Sequence, residues 1–426
     1  MRKIFLSIVL FSFLLSLNIS YAQENFADER IKGWSADIDS MLSLMKAKHY
    51  EYRSNPLPLQ LLTDAKNLKS KISQYSDERM LVELERLMCY MQDGHSYILP
   101  VARNINTFYM PIQFYIFSDG VFIIDAEEPY KNLVGCKVKT INGININKLI
   151  DDMNTYIHHD NIYTIKWFAP TVLRFRGIYE QYGLKAGAAN IEMQLADKTN
   201  NLFTQTVSFI SAADFRGMPK LFPSQTAANN PPPLYLTNVA DNFWFTSLQE
   251  KQALYFQFNQ VMDKEDETLA AFASLLDSAL QTMKPKLFII DVRHNNGGNA
   301  TLLSPLIDVI KKFEWENINS KIIVITGRNT FSAAQIFISL VNKETHALFA
   351  GEPSASKPNF VGEEDNMFVL AHSGAMGNIS GKYHETIPGD KRQWIEPNYP
   401  VSLSSKEYFK NTDPVLEFIL NKPKWP

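Results

Sequence analysis

Apolar positions in the first ninety residues recur with the period of a helix. Met80, Leu81, Leu84, Leu87 and Met88 follow i, i+1, i+4, i+7, i+8 spacing behind Ser76-Asp77-Glu78, an N-cap residue with acids in the first turn. The helical pattern runs from Phe26 to about Met91 and stops at Asp93-Gly94-His95-Ser96, where glycine can close a helix. The period then shortens to that of strands. Phe108 to Phe117 and Val121 to Ile124 flank Ser118-Asp119-Gly120, predicting a hairpin, and Val138 to Ile141 leads into an Asn142-Gly143 turn and a short helix, Ile144 to Met153. From Ser211 to Leu236 the pattern becomes loop-like and ends in Asn229-Asn230-Pro231-Pro232-Pro233, which neither a helix interior nor a central strand accommodates. Beyond it, strands at Ala253–Phe258, Lys286–Val292, Lys321–Thr326 and Ala347–Gly351 alternate with helices at Glu267–Thr282, Thr301–Phe313 and Ser332–Val341. This alternation predicts an α/β domain whose largely parallel sheet is covered by helices, with its chemistry in loops at the strand C-termini.

The chain has 426 residues, enough for two or three domains. The expected division is a signal peptide at 1–22, a helical region at 23–100, a β-rich domain at 101–228 and an α/β domain at 229–426. The leader is read from Arg2-Lys3, an apolar run from Ile4 to Leu17, and small residues Ser20 and Ala22 before Gln23. Export to the periplasm or the exterior follows, with no membrane span expected after cleavage. Lys+Arg 42 against Asp+Glu 45 gives a net charge of −3, without the basic stripe that nucleic acid requires, so nucleic acid is not an expected partner. Cys89 and Cys136 are too few for a disulfide scaffold or a cysteine-based zinc site, although one disulfide remains open in an exported chain. No His-Glu-x-x-His occurs and the His158-His159 pair lacks helical-face spacing, so neither a metal nor a cofactor is expected.

Two strand-to-helix loops carry the candidate chemistry. In Asp291-Val292-Arg293-His294-Asn295-Asn296-Gly297-Gly298 the paired glycines let backbone N–H groups approach a ligand closely, or simply make a turn. Gly327-Arg328-Asn329-Thr330-Phe331-Ser332-Ala333-Ala334-Gln335 places a hydroxyl at a helix start. There it can act as a nucleophile, or cap the helix, since Ser332 and Gln335 also satisfy the capping-box pattern. Lys357 follows Ser332 by 25 residues, within Gly351-Glu352-Pro353-Ser354-Ala355-Ser356-Lys357.

In order and spacing these segments resemble the C-terminal processing peptidase and tricorn group of serine peptidases. Gln92-Asp93-Gly94-His95-Ser96 is similar to that group's Asp-Gly-His-Thr element, Gly135 to Gly143 to a PDZ segment, and Trp394-Ile395-Glu396-Pro397 with Asp413-Pro414-Val415-Leu416 to its closing stretch. The resemblance implies a crotonase-like catalytic domain, a PDZ-like domain before it, and a helical N-terminal region. It also implies a peptidase acting on peptides or unfolded proteins through Ser332, with the oxyanion held by Ala333 and by Gly297 or Gly298. For the general base it offers two residues: Lys357, as in the processing peptidases, or His95 with Glu396 as orienting carboxylate, as in the tricorn branch. Val361 stands where processing peptidases carry a lysine-positioning glutamine, and Gly94 where tricorn-type chains carry a serine beside the histidine. Those departures keep a second reading open, a catalytically silent peptide-binding protein on the peptidase fold. An esterase with the same nucleophile is a third.

Overall fold

Three helices open the described part of the chain, which in this computed structural model comprises residues 27–213, 221–224, 226–227, 230–363 and 366–425. The expected signal peptide lies outside it. Helices α1 (27–48), α2 (Leu59–Ser70) and α3 (Asp77–Met88) bury Trp34, Ile38, Leu61, Leu68, Leu84 and Leu87 in one core. As the sequence predicts, Ser76 caps α3, its hydroxyl accepting the Arg79 N–H. The chain turns at 93–96 and continues as β1 (Tyr97–Ala102).

The β-rich unit contains β2 (Phe108–Tyr109), β3 (Ile112–Phe117), β4 (Gly120–Ala126), β5 (Lys137–Ile141), β6 (Ile144–Asn145), α4 (Ile146–Asp152), α5 (Ile162–Val172), β7 (Asn190–Ala196), β8 (Leu202–Ser208) and β9 (Ile210–Ser211). Its main sheet is antiparallel in the order β3-β4-β5-β7-β8, with β6 paired to β5. Asn142 and Gly143 both take positive φ, 52° and 74°, as the two-residue turn joining Ile141 to its partner Ile144 demands. Helices α4 and α5 share the sheet's buried core through Leu149, Ile165 and Ala169.

The α/β part follows as β10 (Phe243–Leu248), β11 (Ala253–Phe258), α6 (Leu269–Met283), β12 (Leu287–Asp291), α7 (Ser304–Glu316), β13 (Lys321–Thr326), α8 (Ala333–Glu344) and β14 (Leu348–Gly351). Then come β15 (Asn359–Gly362), β16 (Met367–Val369), β17 (Ala375–Asn378), β18 (Lys382–Glu385), β19 (Tyr399–Pro400), α9 (Ser405–Tyr408) and α10 (Pro414–Asn421). The sheet order is β10-β11-β12-β13-β14-β19, parallel from β11 onward with β10 antiparallel at the edge. Helices α6, α7 and α8 cover one face through Phe272, Ile310 and Phe337, and α10 covers the other through Val415 and Ile419. Because β12 and β13 are adjacent and parallel, the loops after Asp291 and Thr326 leave the same end of the sheet.

The α/β part does not form the crotonase-like domain of its own that the resemblance implied. Strands β16 and β17 leave the α/β sheet and pair with β1 in the order β1-β17-β16. Ala375 of β17 and the flanking Leu370 and Ile379 complete the core of the N-terminal helices. Buried Asp37 of α1 accepts the N–H groups of His372 and Ser373, so α1 and the turn between β16 and β17 are packed together.

Candidate active site

The loops after β12 and β13 are joined to each other by backbone and side-chain bonds. Thr330 Oγ1 donates to the Val292 carbonyl at 2.9 Å, and the Phe331 N–H donates to the Asn295 carbonyl at 3.1 Å. The base of the first loop is fixed by Arg293, whose guanidinium bonds Asp291 and, at 2.9 and 2.6 Å, Asp413 at the start of α10. These two carboxylates hold Arg293 firmly charged despite its burial.

Ser332 sits at φ 56°, ψ −124°, and its side chain makes no capping bond to α8. The capping-box reading is thereby excluded; Gln335 instead donates its amide to Ser339 Oγ at 3.1 Å. A non-glycine residue in this region costs about 1–3 kcal/mol, and such sharp strand-to-helix turns expose a nucleophilic serine. The neighbouring chain enforces it. A methyl added to Gly297, at φ 111°, would lie 2.6 Å from Ser332 Cβ and 3.0 Å from the Ala333 nitrogen, and the Ser332 N–H donates to Ser356 Oγ at 3.3 Å. Ala333 begins α8, where the first N–H groups have no carbonyl one turn back. Gly297 gives its own N–H to Asn295 Oδ1 at 3.0 Å, so Gly298 is the member of the pair with a donor to offer. Close approach of Gly298 to the Val261 carbonyl, 2.2 Å from a hypothetical Cβ, makes glycine obligatory there.

His95 faces the same cavity as Ser332, a cleft of about 930 Å³ also lined by Gly298, Ala333, Ile336 and Trp167. Its ring is 3% exposed and stacked between Phe331 and Phe360, with centroids 4.3 and 5.2 Å away. Neither ring nitrogen has a hydrogen-bond partner among the described residues. Burial, only partly offset by Asp93, lowers its pKa to about 4, so the imidazole is neutral and carries a free lone pair at neutral pH. The backbone around it is tightly held. Asp93 Oδ1 accepts the His95 and Ser96 N–H groups at 2.7 and 2.6 Å, Oδ2 pairs with buried His49 at 3.0 Å, and Asn378 Nδ2 donates to the His95 carbonyl at 2.8 Å.

The other two predicted residues lie elsewhere. Lys357 is half-buried and does not line the cavity; its charge acts on Asp160 and His159. Glu396 is exposed and accepts the Trp394 indole N–H at 2.6 Å, away from the His95 ring nitrogens. Asp93, Asn295, Ser356, Phe360 and Asp160 are site residues that the sequence reading did not assign. Asp93, Asn295 and Ser356 lay within the sequence motifs without being given roles, and Asp160 precedes Asn161 and Thr164, which form a capping box at the start of α5. The cysteines are both free thiols. No helix among the described residues is long and apolar enough to cross a membrane.

No family model and no curated protein matches the sequence. Solved structures match it nearly end to end. Mature CPAF complexed with lactacystin superposes with a TM-score of 0.62 over 92% of this chain and 97% of its own, at 12% identity. Mature CPAF alone gives 0.59 over 92% and 96%, and a CPAF point mutant 0.63 over 93% and 99%, both again at 12% identity. At this identity the likeness is one of fold. The architecture is therefore that of CPAF, with its PDZ-like part included, and this replaces the crotonase-like class expected from the sequence.

Proposed function

We propose that this chain is a serine-type peptidase acting on peptides or unfolded proteins, with Ser332 as nucleophile and His95 as general base. The observation that carries the reading is Ser332 held uncapped on a strained turn, opening onto the cavity that a buried, neutral, unpartnered His95 also lines. Ser332 Oγ attacks the peptide carbonyl carbon as His95 takes the hydroxyl proton. The carbonyl oxygen becomes an oxyanion held by the N–H groups of Ala333 and Gly298, and the helix α8 dipole favours that charge. His95 then protonates the leaving amine, and water reverses the sequence on the acyl-enzyme. The apolar walls of the cleft, Trp167 and Ile336 among them, suit extended chains with bulky apolar side chains rather than folded surfaces.

The test is mass spectrometry of a peptide and unfolded-protein pool incubated with the mature chain beside its Ser332→Ala variant. Cleavage lost in the variant is expected. Binding of the same peptides without Ser332-dependent cleavage, in folded protein, would instead establish the silent binding protein.

A further inference from the structure

Behind the His95 loop lies a carboxyl that the proposed chemistry leaves unused. Asp160 is 5% exposed and sits immediately before α5. Its Oδ1 accepts the Gly94 N–H at 3.2 Å, while Oδ2 is buried without a hydrogen-bond partner. A methyl added to Gly94 would lie 3.2 Å from that oxygen and 2.9 Å from the Phe331 ring, so the carboxyl is pressed against the residue before His95 and next to the residue before Ser332. The same end of α5 is bonded to the segment after β14, Ser354 to Ser356. Asn161 Nδ2 donates to the Ser354 carbonyl at 3.2 Å, Thr164 Oγ1 to the Ala355 carbonyl at 2.6 Å, and Ser356 Oγ accepts the Ser332 N–H. Asp160 thus stands where the segments carrying His95, Ser332 and Ser356 meet.

We propose that Asp160 is a positioning residue, whose ionised form, balanced by Lys357, fixes the His95 loop relative to Ser332 for reaction. Lys357 then serves as counter-cation rather than base. This rests on the Ser332–His95 reading above. A charged acceptor binds the Gly94 N–H about twice as strongly as a neutral one, so protonating Asp160 loosens the segment that presents His95. The groups facing it come from each packed element: Lys357 and the Ser356 hydroxyl favour ionisation, and Asp93 of the His95 loop opposes it. Asp93 is itself paired with His49, while the neighbouring His95 and His159 are both pushed toward the neutral form by burial. Burial of Asp160 outweighs these favourable interactions and raises its pKa to about 7. Its titration is thereby separated from that of His95, at about 4.

The experiment measures the rate at which a fluorophosphonate labels Ser332 from about pH 5 to about pH 9, with melting temperatures over the same range. It compares the wild type with Asp160→Asn, Lys357→Met, His95→Ala and Ser332→Ala. The wild type is expected to gain rate through a limb centred near 7. Asp160→Asn should lack that limb and react about tenfold more slowly at high pH, as for one weakened charge-assisted bond. Lys357→Met should retain labelling and move the limb to higher pH. Stability supplies a readout independent of turnover. The folded chain keeps the Asp160 proton up to about pH 7, whereas the unfolded chain releases it near 4, so the Asp160 contribution to stability falls as pH rises across that window. His95, lowered to about 4 in the folded chain, adds an opposite slope common to both proteins, so the stability of the wild type relative to Asp160→Asn is expected to fall with pH. A merely structural Asp160 would, on replacement, lower the melting temperature at every pH and leave the limb in place. That outcome overturns the proposal, as does complete loss of labelling at every pH in Lys357→Met. Labelling undiminished in Ser332→Ala would instead overturn the nucleophile assignment on which the proposal rests.

Discussion

At the scale of single residues, the site is decided by environments rather than residue types. His95 and Lys357 are both bases by chemistry, but only His95 is desolvated against Phe331 and Phe360 on the wall that Ser332 shares. Replacing His95 by alanine should therefore lower kcat/KM by about 10²–10⁴-fold, the usual contribution of a general base, with little change in KM. Glu396→Gln should stay within about twofold, because an exposed carboxylate bonded to Trp394 has no buried charge to stabilise. Steady-state kinetics on one fluorogenic peptide separates the two. By motif order the sequence offered Lys357 and His95 alike as a base for Ser332 and did not choose between them. The aromatic sandwich was not legible, since Phe360 is 265 residues away along the chain.

The elements matter through the turns that join them. Strands β12 and β13 were readable from their apolar runs, and the helices after them from their periodicity, because each signal is local. Their loops were not readable. Ser332-Ala333-Ala334-Gln335 satisfies a cap pattern, yet the bond from Ser332 N–H to Ser356 and the pressure of Gly297 hold the serine in a conformation in which it caps nothing. Gly297→Ala tests this. A Cβ 2.6 Å from Ser332 Cβ forces the turn to move, so Ser332 labelling should fall at least about 100-fold, as for a misplaced catalytic group, while overpacking costs about 1–3 kcal/mol in denaturant unfolding. Retained labelling would show that the turn has slack that the close contacts deny.

Across the whole molecule, the helices at one end and strands β16 and β17 near the other share a core, and β1 between them leads directly out of the His95 turn. Trp34, fully buried with its indole N–H donated to Asp77 at 2.8 Å, lies in that core. Trp34→Ala should cost about 3–5 kcal/mol. The loss should appear in far-UV circular dichroism and Ser332 labelling as one coincident transition, because the N-terminal helices and the His95 loop are braced by the same packing. Two separated transitions would mean that the helices melt alone.

The sequence by itself determined the local elements, the order of the Asp-Gly-His, Gly-Gly and Ser motifs, and the placement of the Gly-Gly and Ser motifs in loops at one end of a parallel sheet. Such features follow from periodicity, turn chemistry and strand alternation within windows of a few residues. Only the tertiary structure decided that the architecture is that of CPAF rather than crotonase-like, that Glu396 faces outward, and that Asp160 lies beneath Gly94. Those outcomes depend on burial and on contacts between residues far apart in the chain. A carboxylate, a lysine or a histidine acquires its role from desolvation and neighbours, and the linear order of residues carries neither.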